Sequence, residues 1–509
     1  MEGDFTRNSD DPEAAYSGVL MQQGRVQLDA DWNEQAAIQT RALRDALRDL
    51  IGSHGGPADD FGFAIASHKE NDPVLTFGGG VYYVDGIRVA QHGAPLTLSM
   101  AHHEDGAYIA FLDVWERHVN AIEDPHIREV ALLGPDTATR VEVLWRVRLL
   151  KIVNDASQIE NLDPWADNQI KKYLRSRPRR HLAAHARTVN ANTDPCQLSP
   201  LAQYRGRENQ LYRVQIHDGF PDPKVDAGKV KIESGKGKRG KGKIIEAKDP
   251  AGESGDRVLF TFKWSRDNGS VVFPIVGSIS LSASQAEAGD HEIEVSVPLG
   301  NLGRDERFGL KAGDIVEFVH DALTRETLDD GALIDDGRDP GRPGLLGRVL
   351  SPIDRDDLTV RIAVYADDIS ELVEATLYPY LRRWDHGPTA VRSHERGAIA
   401  VRQSDLDKWL PLEDGVEVWF DSSTPTGAVP QQRAGDYWQI PARAATGDVL
   451  WPTTIVSGNP SVRKQTRVPP HGPHHHYAPL LAVMWESGSI TTLEARRIFP
   501  RLALPGSRP

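Results

Sequence analysis

The feature that most restricts what this chain can fold into is the alternation in residues 139–153, TRVEVLWRVRLLKIV. Val141, Val143, Trp145 and Val147 fall on one side of an extended backbone, with Glu142, Arg146 and Arg148 on the other. Side chains of a strand point to opposite faces in turn, so a period of two reads as a half-buried β-strand and fits no helix. The run AYIAFLDVWERHV at 107–119 is of similar length, apolar first and alternating later, as expected of a strand leaving a core. The two are expected to be neighbours in one sheet.

Shorter strand-like runs recur to the end of the chain, among them LYRVQIHDGF, RVLFTFKWS, HEIEVSV, DIVEFVH, LTVRIAV, GVEVWFD, GDYWQIPAR and YAPLLAVMW. The 45 glycines and 33 prolines fence them, which is the punctuation of a β-rich chain and not of a helical bundle. Asn268-Gly269 is the residue pair of a two-residue hairpin turn. The expected fold class is mainly β with an N-terminal helix, made of several small antiparallel β domains, sandwich- or barrel-like. A length of 509 residues exceeds one core. The expected units are 1–55, an arm and a helix; 56–153, a β domain; 154–375, a second β region with a basic Gly-Lys insertion at 229–256; and 376–509, a C-terminal β domain.

Residues 1–18 read as a polar arm with little core of its own, and 19–28 (VLMQQGRVQL) as a short hairpin or bent strand broken at Gly24. From Trp32 to about Ile51 the pattern turns helical. Trp32, Ala36, Leu43, Leu47 and Leu50 share one stripe, and Gly52 ends the run. The acids of Asp29-Ala30-Asp31 have two readings. As metal ligands they need further donors that the sequence does not mark. As a helix start, Asp31 with Glu34 three residues on has the capping-box spacing, and this reading is preferred. A helix with such a stripe has something to bury, in its own domain or on a partner. Trp32, Leu43, Leu47 and Leu50 are therefore the candidate partner-binding residues.

Several function classes lose support. The net charge of −14 argues against a general nucleic-acid surface. The basic loop (Lys229, Lys231, Lys236, Lys238, Arg239, Lys241, Lys243) lacks interleaved aromatics and has the composition of a flexible insertion, so nucleic acid is not an expected partner. One cysteine, Cys196, forms no intramolecular disulfide, in keeping with synthesis in a reducing cytoplasm. No apolar run approaches a membrane span, and the start MEGDFTRNSDDPEA does not have the order of a signal peptide. No nucleophile elbow or phosphate loop is present.

The chemical leads are few. HGPHHHYAP holds His471, His474, His475 and His476. On a strand, His474 and His476 share a face and form a two-nitrogen arm for a metal ion; no other cofactor is expected. The bland alternative is a Pro-flanked polar stretch that tolerates histidine. Asp113, Glu116, Asp385, Asp421 and Asp436 are candidate acids, but a glycosidase needs two at a fixed separation. Trp264, Trp384, Trp409 and Trp438 stack on sugars if exposed and pack cores if not.

The opening GDFTRNSDDPEAAYSGVLMQQGRVQLDADWNEQ resembles the start of a bacterial family defined only as a domain of unknown function, whose members occur with phage-tail-like contractile injection systems. The likeness continues through FLDVWERHVNAIEDPHIREVALLGPDTATRVEVLWRVRL, ENQLYRVQIHDG, FKWSRDNGSVVFPI, LRRWDHG, GDYWQIPARAATGDVLWP and PPHGPHHHYAPL. The bent strand feeding a helix is more loosely similar to attachment regions of phage tail-fibre and baseplate proteins. The resemblance implies a structural role at a baseplate or as a fibre-like appendage, with baseplate proteins as partners and a homotrimeric state. It implies synthesis in the cytoplasm followed by membership of a particle that is retained or released, and it offers no catalytic residues. Two other classes stay open: a carbohydrate- or cell-surface-binding adhesin, and a metal-dependent hydrolase using the histidines.

Overall fold

A computed structural model describes residues 1–64, 74–100, 103, 105–132, 136–152, 168, 170, 178–187, 203–219, 256–282, 292–320, 344–350, 358–365, 372, 379–387, 394–424, 427, 429–456, 459–486 and 489–500. Cys196 and residues 229–255 of the basic insertion lie outside the described residues. Within them the architecture is β-rich, with one long helix, Asp29–Ile51, ahead of several small antiparallel sheets.

The two long runs pair as expected. Gly106–Val119 and Arg140–Ile152 run antiparallel, with Ala107 opposite Ile152 and Val119 opposite Arg140. His475–Glu486 lines the other edge of Gly106–Val119 and carries Ser489–Glu494 outside it. Val143, Trp145, Val147 and Leu149 turn to an apolar core shared with Leu112, Val114, Leu480 and Tyr82. The facing strands Gly80–Val84 and Ile87–Gln91 are joined by Asp85 and Gly86 at φ 48° and 78°, the left-handed pair that a tight hairpin needs.

A second core lies between two sheets. Gln210–Gly219 and Val258–Ser265 sit in the middle of a six-stranded sheet, flanked by Ala398–Arg402 and Tyr437–Arg443. Tyr212, Val214, Phe262 and Trp438 pack against Leu182, Ala184, Val418 and Phe420 of a three-stranded sheet, giving a sandwich. The third core is enclosed by one seven-stranded sheet, in which Phe273, Val295, Phe318, Ile362 and Leu381 meet, so this unit is barrel-like. Sequence order and sheet membership part company here. From the 376–509 stretch, Tyr380–Trp384 joins the seven-stranded sheet, Tyr437–Arg443 the sandwich and His475–Glu486 the first sheet.

The Asn268-Gly269 turn is present but makes no hairpin. Both residues have positive φ (51° and 69°), and Ser270 N–H donates to Asp267 C=O at 3.0 Å. Val258–Ser265 already has both edges filled, by Gln210–Gly219 and Ala398–Arg402. The next strand, Val272–Pro274, therefore crosses to Tyr380–Trp384 in the seven-stranded sheet.

A buried ion pair ties these two units together. Lys263 of the sandwich donates from Nζ to Glu317 of the seven-stranded sheet at 2.6 Å, and Lys263 is fully buried. Glu317 also accepts Trp384 Nε1–H at 2.8 Å and Gly344 N–H at 3.0 Å. The ammonium lies 4.6 Å from the centre of the Trp384 ring. Burial lowers the Lys263 pKa despite the carboxylate. Removing one partner strands the other charge in the interior, so Glu317→Ala is expected to cost about 3–5 kcal/mol. The paired Lys263→Met, Glu317→Leu change is expected to cost less; urea denaturation of both variants against the parent checks the order.

Candidate interaction surface

The helix begins earlier than the sequence pattern suggests. Its first residue is Asp29, and the side chain of Asp31, two residues on, accepts Leu28 N–H at 3.1 Å. The acid that reaches back to cap the helix is thus Asp31 and not Glu34. Asp29 accepts Thr6 N–H at 2.8 Å and the Thr6 hydroxyl, tying the arm to the helix. Both acids are occupied by donors of the protein itself.

Charge holds this helix to the body. Only Ala30 and Ile38 are buried. Arg41 meets Asp10 at 2.6 Å, and the Arg44 fork meets both oxygens of Glu116 at 3.0 and 2.6 Å. Arg48 meets Asp45 at 3.0 Å and approaches Asp85 at 3.9 Å. The apolar stripe points away: Trp32 is 69 % exposed, Leu43 61 % and Leu50 64 %, while Leu47 is half-buried. A core role for the stripe within its own chain is therefore corrected. An amphipathic helix usually buries such a stripe; here the arginines take the body-facing side because carboxylates wait there.

The segment before the helix is also bare. Leu20 is 91 % exposed and Val26 83 %, with Tyr16, Met21 and Leu28 exposed beside them. Residues 19–28 form no strand. A turn closes them, with Arg25 N–H on Gln22 C=O at 3.3 Å and Gly24 at φ 70°. Large exposed apolar residues gathered in one element mark an interaction surface.

The start of the arm is anchored, contrary to its polar appearance. Glu2 meets Arg213 at 3.3 Å and Arg382 at 3.2 Å. Burial pushes the Glu2 pKa up, but the two guanidiniums pull it well below the usual carboxylate range. Met1 C=O accepts from Asn268 Nδ2 and Gln439 Nε2, both at 3.1 Å, and Gly3 C=O accepts Asn268 Nδ2 at 3.0 Å. The Asn268 that reads as a hairpin residue thus holds the arm with its side chain. Gly3 has φ 134°, and a Cβ there would lie 2.8 Å from the Phe5 ring and 3.1 Å from His118, so only glycine fits.

An open cleft separates the helix from the histidine-bearing strand, with Arg44, Arg48, His475 and His476 among its walls. His475 Nδ1 lies 2.6 Å from Asp113, which is fully buried and 3.3 Å from both Arg146 and Arg148. Burial raises the Asp113 pKa, but His475, Arg148 and Arg146 hold it well below the usual range. His476 Nδ1 lies 3.0 Å from Asp85, the residue that Arg48 approaches from the helix. Burial lowers the His474 pKa, as does nearby Arg179. Among the described residues, no group of three or more His, Cys, Asp or Glu is placed to hold a metal ion.

The family of unknown function DUF6519 matches over residues 1–173 and 168–492. The chain belongs to this family. No curated protein and no solved structure matches it. The matched region of this DUF6519 chain includes the arm, its socket, the helix and the histidine strand. The remaining candidates take structural positions. Glu116 receives Arg44, Asp385 accepts the Ser265 hydroxyl at 3.1 Å and Arg266 N–H at 2.9 Å, Asp421 accepts His181 N–H at 3.0 Å, and Asp436 pairs with Arg179. Trp264, Trp384 and Trp438 are buried, and Trp409 stacks on His185 at 3.6 Å. The arm socket escaped the sequence reading because its parts, near residues 2, 213, 268, 382 and 439, share no motif.

Replacing Glu2 by Gln leaves Arg213 and Arg382 without their carboxylate and is expected to cost about 3 kcal/mol, read by chemical denaturation. Burial lowers the His118 pKa to about 4; Glu2 opposes this, and Arg382 and Arg213 add to it. Unfolded histidine binds its proton near 6.5, so the unfolded chain holds more protons between about 4 and 6.5. Stability from His118 is full above that window and is lost as pH falls through it. Asp267 and Glu413, raised by burial to about 6 and about 7, slope the opposite way. The expected result is therefore a difference: His118→Gln loses less stability on acidification than the parent, measured by denaturation midpoints across that window.

Proposed function

We propose that this chain is a structural component of a phage-tail-like contractile injection particle, without a reaction of its own. It sits at the baseplate or as a tail-fibre-like appendage, in three copies, and attaches through residues 1–55. Synthesis is cytoplasmic, followed by incorporation into the particle. The observation that carries the reading is the bare apolar ribbon Leu20, Met21, Val26 and Leu28, set ahead of a helix that is fixed to the body by its charged side. Such a surface is costly to leave in water: burying one leucine or valine stabilises by about 1.5–3 kcal/mol. The particle class follows the resemblance of the opening segment to a family found beside injection systems.

The test is incorporation. Tagged full-length chain, expressed in cells that assemble the particle, is expected to co-purify with sheath and baseplate proteins. The variant Leu20→Asp, Val26→Asp, at exposed positions that leave the fold intact, is expected to lose at least roughly tenfold of that incorporation, as a loss of about 1.4 kcal/mol or more implies. A chain that stays out of the particles, or a variant that enters them as well as the parent, overturns the reading.

A further inference from the structure

We propose that the outward stripe of the helix Asp29–Ile51 is a coiled-coil seam that pairs, in parallel, with the same helix of other copies of this chain. The inference rests on the attachment reading above and deepens it by naming what covers the helix. The bare ribbon at 19–28 is left for the particle.

The spacing points to a helical partner. Trp32, Ala36, Gln39, Leu43, Ala46 and Leu50 follow one another at steps of four, three, four, three and four residues, and all six are exposed. That alternation is the inner seam of a left-handed coiled coil, whose repeat averages 3.5 residues. A helix meant to lie on a broad globular surface has a wider, 3.6-period stripe. The seam spans about 27 Å of helix at 1.5 Å per residue.

The flanks point to a copy of the same chain. Asn33, Thr40 and Leu47 border the seam on one side, and Gln35, Ala42 and Asp49 on the other. In a parallel arrangement the one flank of each helix faces the other flank of its neighbour, which sets Gln35 against Thr40 and Ala42 against Leu47 of the next copy and opposes no like charges. A seam built for a different partner commonly carries charges there to select it. Gln39, in mid-seam, is a polar residue that equivalent copies satisfy through one another, and such a residue fixes register.

The body lies where this arrangement leaves room. Arg41 and Arg44, which bind Asp10 and Glu116, project from the side of the helix away from the seam. Parallel helices about one axis therefore place the bodies outward, in a closed ring of equivalent contacts. So short a coil is marginal as a free peptide. Here the ion pairs and the Thr6–Asp29 contact hold the helix formed before it pairs, which removes most of the ordering cost.

The test uses the full-length chain. Sedimentation or light scattering at high micromolar concentration is expected to show an oligomer, and Leu43→Asp, Ala46→Glu is expected to weaken association by roughly a hundredfold or more. In a Cys196→Ser background, Ala46→Cys is expected to form disulfide-linked dimers under oxidation, and Arg41→Cys, away from the seam, is not. A monomeric parent, an oligomer indifferent to the seam variant, or cross-linking at position 41 instead of 46 overturns the proposal. Incorporation measured on the ribbon variant is a separate readout: an oligomer absent from particles sinks the attachment reading alone, and a monomer found in particles sinks the seam alone.

Discussion

Asp113 is the fixed point of this structure. It is fully buried on the strand Gly106–Val119, which has long neighbours on both edges. Arg146 and Arg148 reach it from one neighbour and His475 from the other. A buried carboxylate is tolerated only when its lone pairs are met, and the three partners lock the two strands onto the third in register. From Glu116 to His118 the same strand turns polar, and each of the three side chains reaches something different. Glu116 takes Arg44 of the helix, Arg117 takes Glu123 and Glu142 at 2.6 and 2.8 Å, and His118 lies against Phe5 and Gly3 of the arm.

The inverted helix follows from that polar half-strand. Glu116, Asp10 and Asp85 offer carboxylates on the body side, so the arginine face is satisfied there and the apolar face has no place inside. An exposed ion pair is worth about 0–1 kcal/mol, too little to orient a helix alone. Here the Arg44–Glu116 pair is bidentate and three-quarters buried, and the arm adds a covalent tether that ends in the Glu2 socket. The result is a helix held at both ends of its polar face, with Trp32, Leu43 and Leu50 left in water.

Much of the strand content was legible because alternation is local. The runs at 107–119, 139–153 and 477–485 are marked by apolar stretches or a period of two, and they fall on the strands Gly106–Val119, Arg140–Ile152 and His475–Glu486 of the first sheet. The helix was legible for the same reason, as was the tight turn at Asn268-Gly269. The helix start was misplaced because two acids stand there with only Ala30 between them, and only the path of the arm shows that Asp29 serves Thr6 while Asp31 serves the cap.

By itself, then, the sequence of this DUF6519 chain determined the elements: which stretches extend, which one coils, and which pairs of residues reverse the chain. It also determined that the helix carries an apolar stripe and a charged one. Only the tertiary structure decided where each face points. That choice depends on carboxylates far away in the sequence, Asp10, Asp85 and Glu116, meeting Arg41, Arg48 and Arg44. The same holds for the strand after Asn268-Gly269, whose partner was chosen by which sheet edges were already filled. Local periodicity carries no information about distant partners, and in both cases a distant partner settled the outcome.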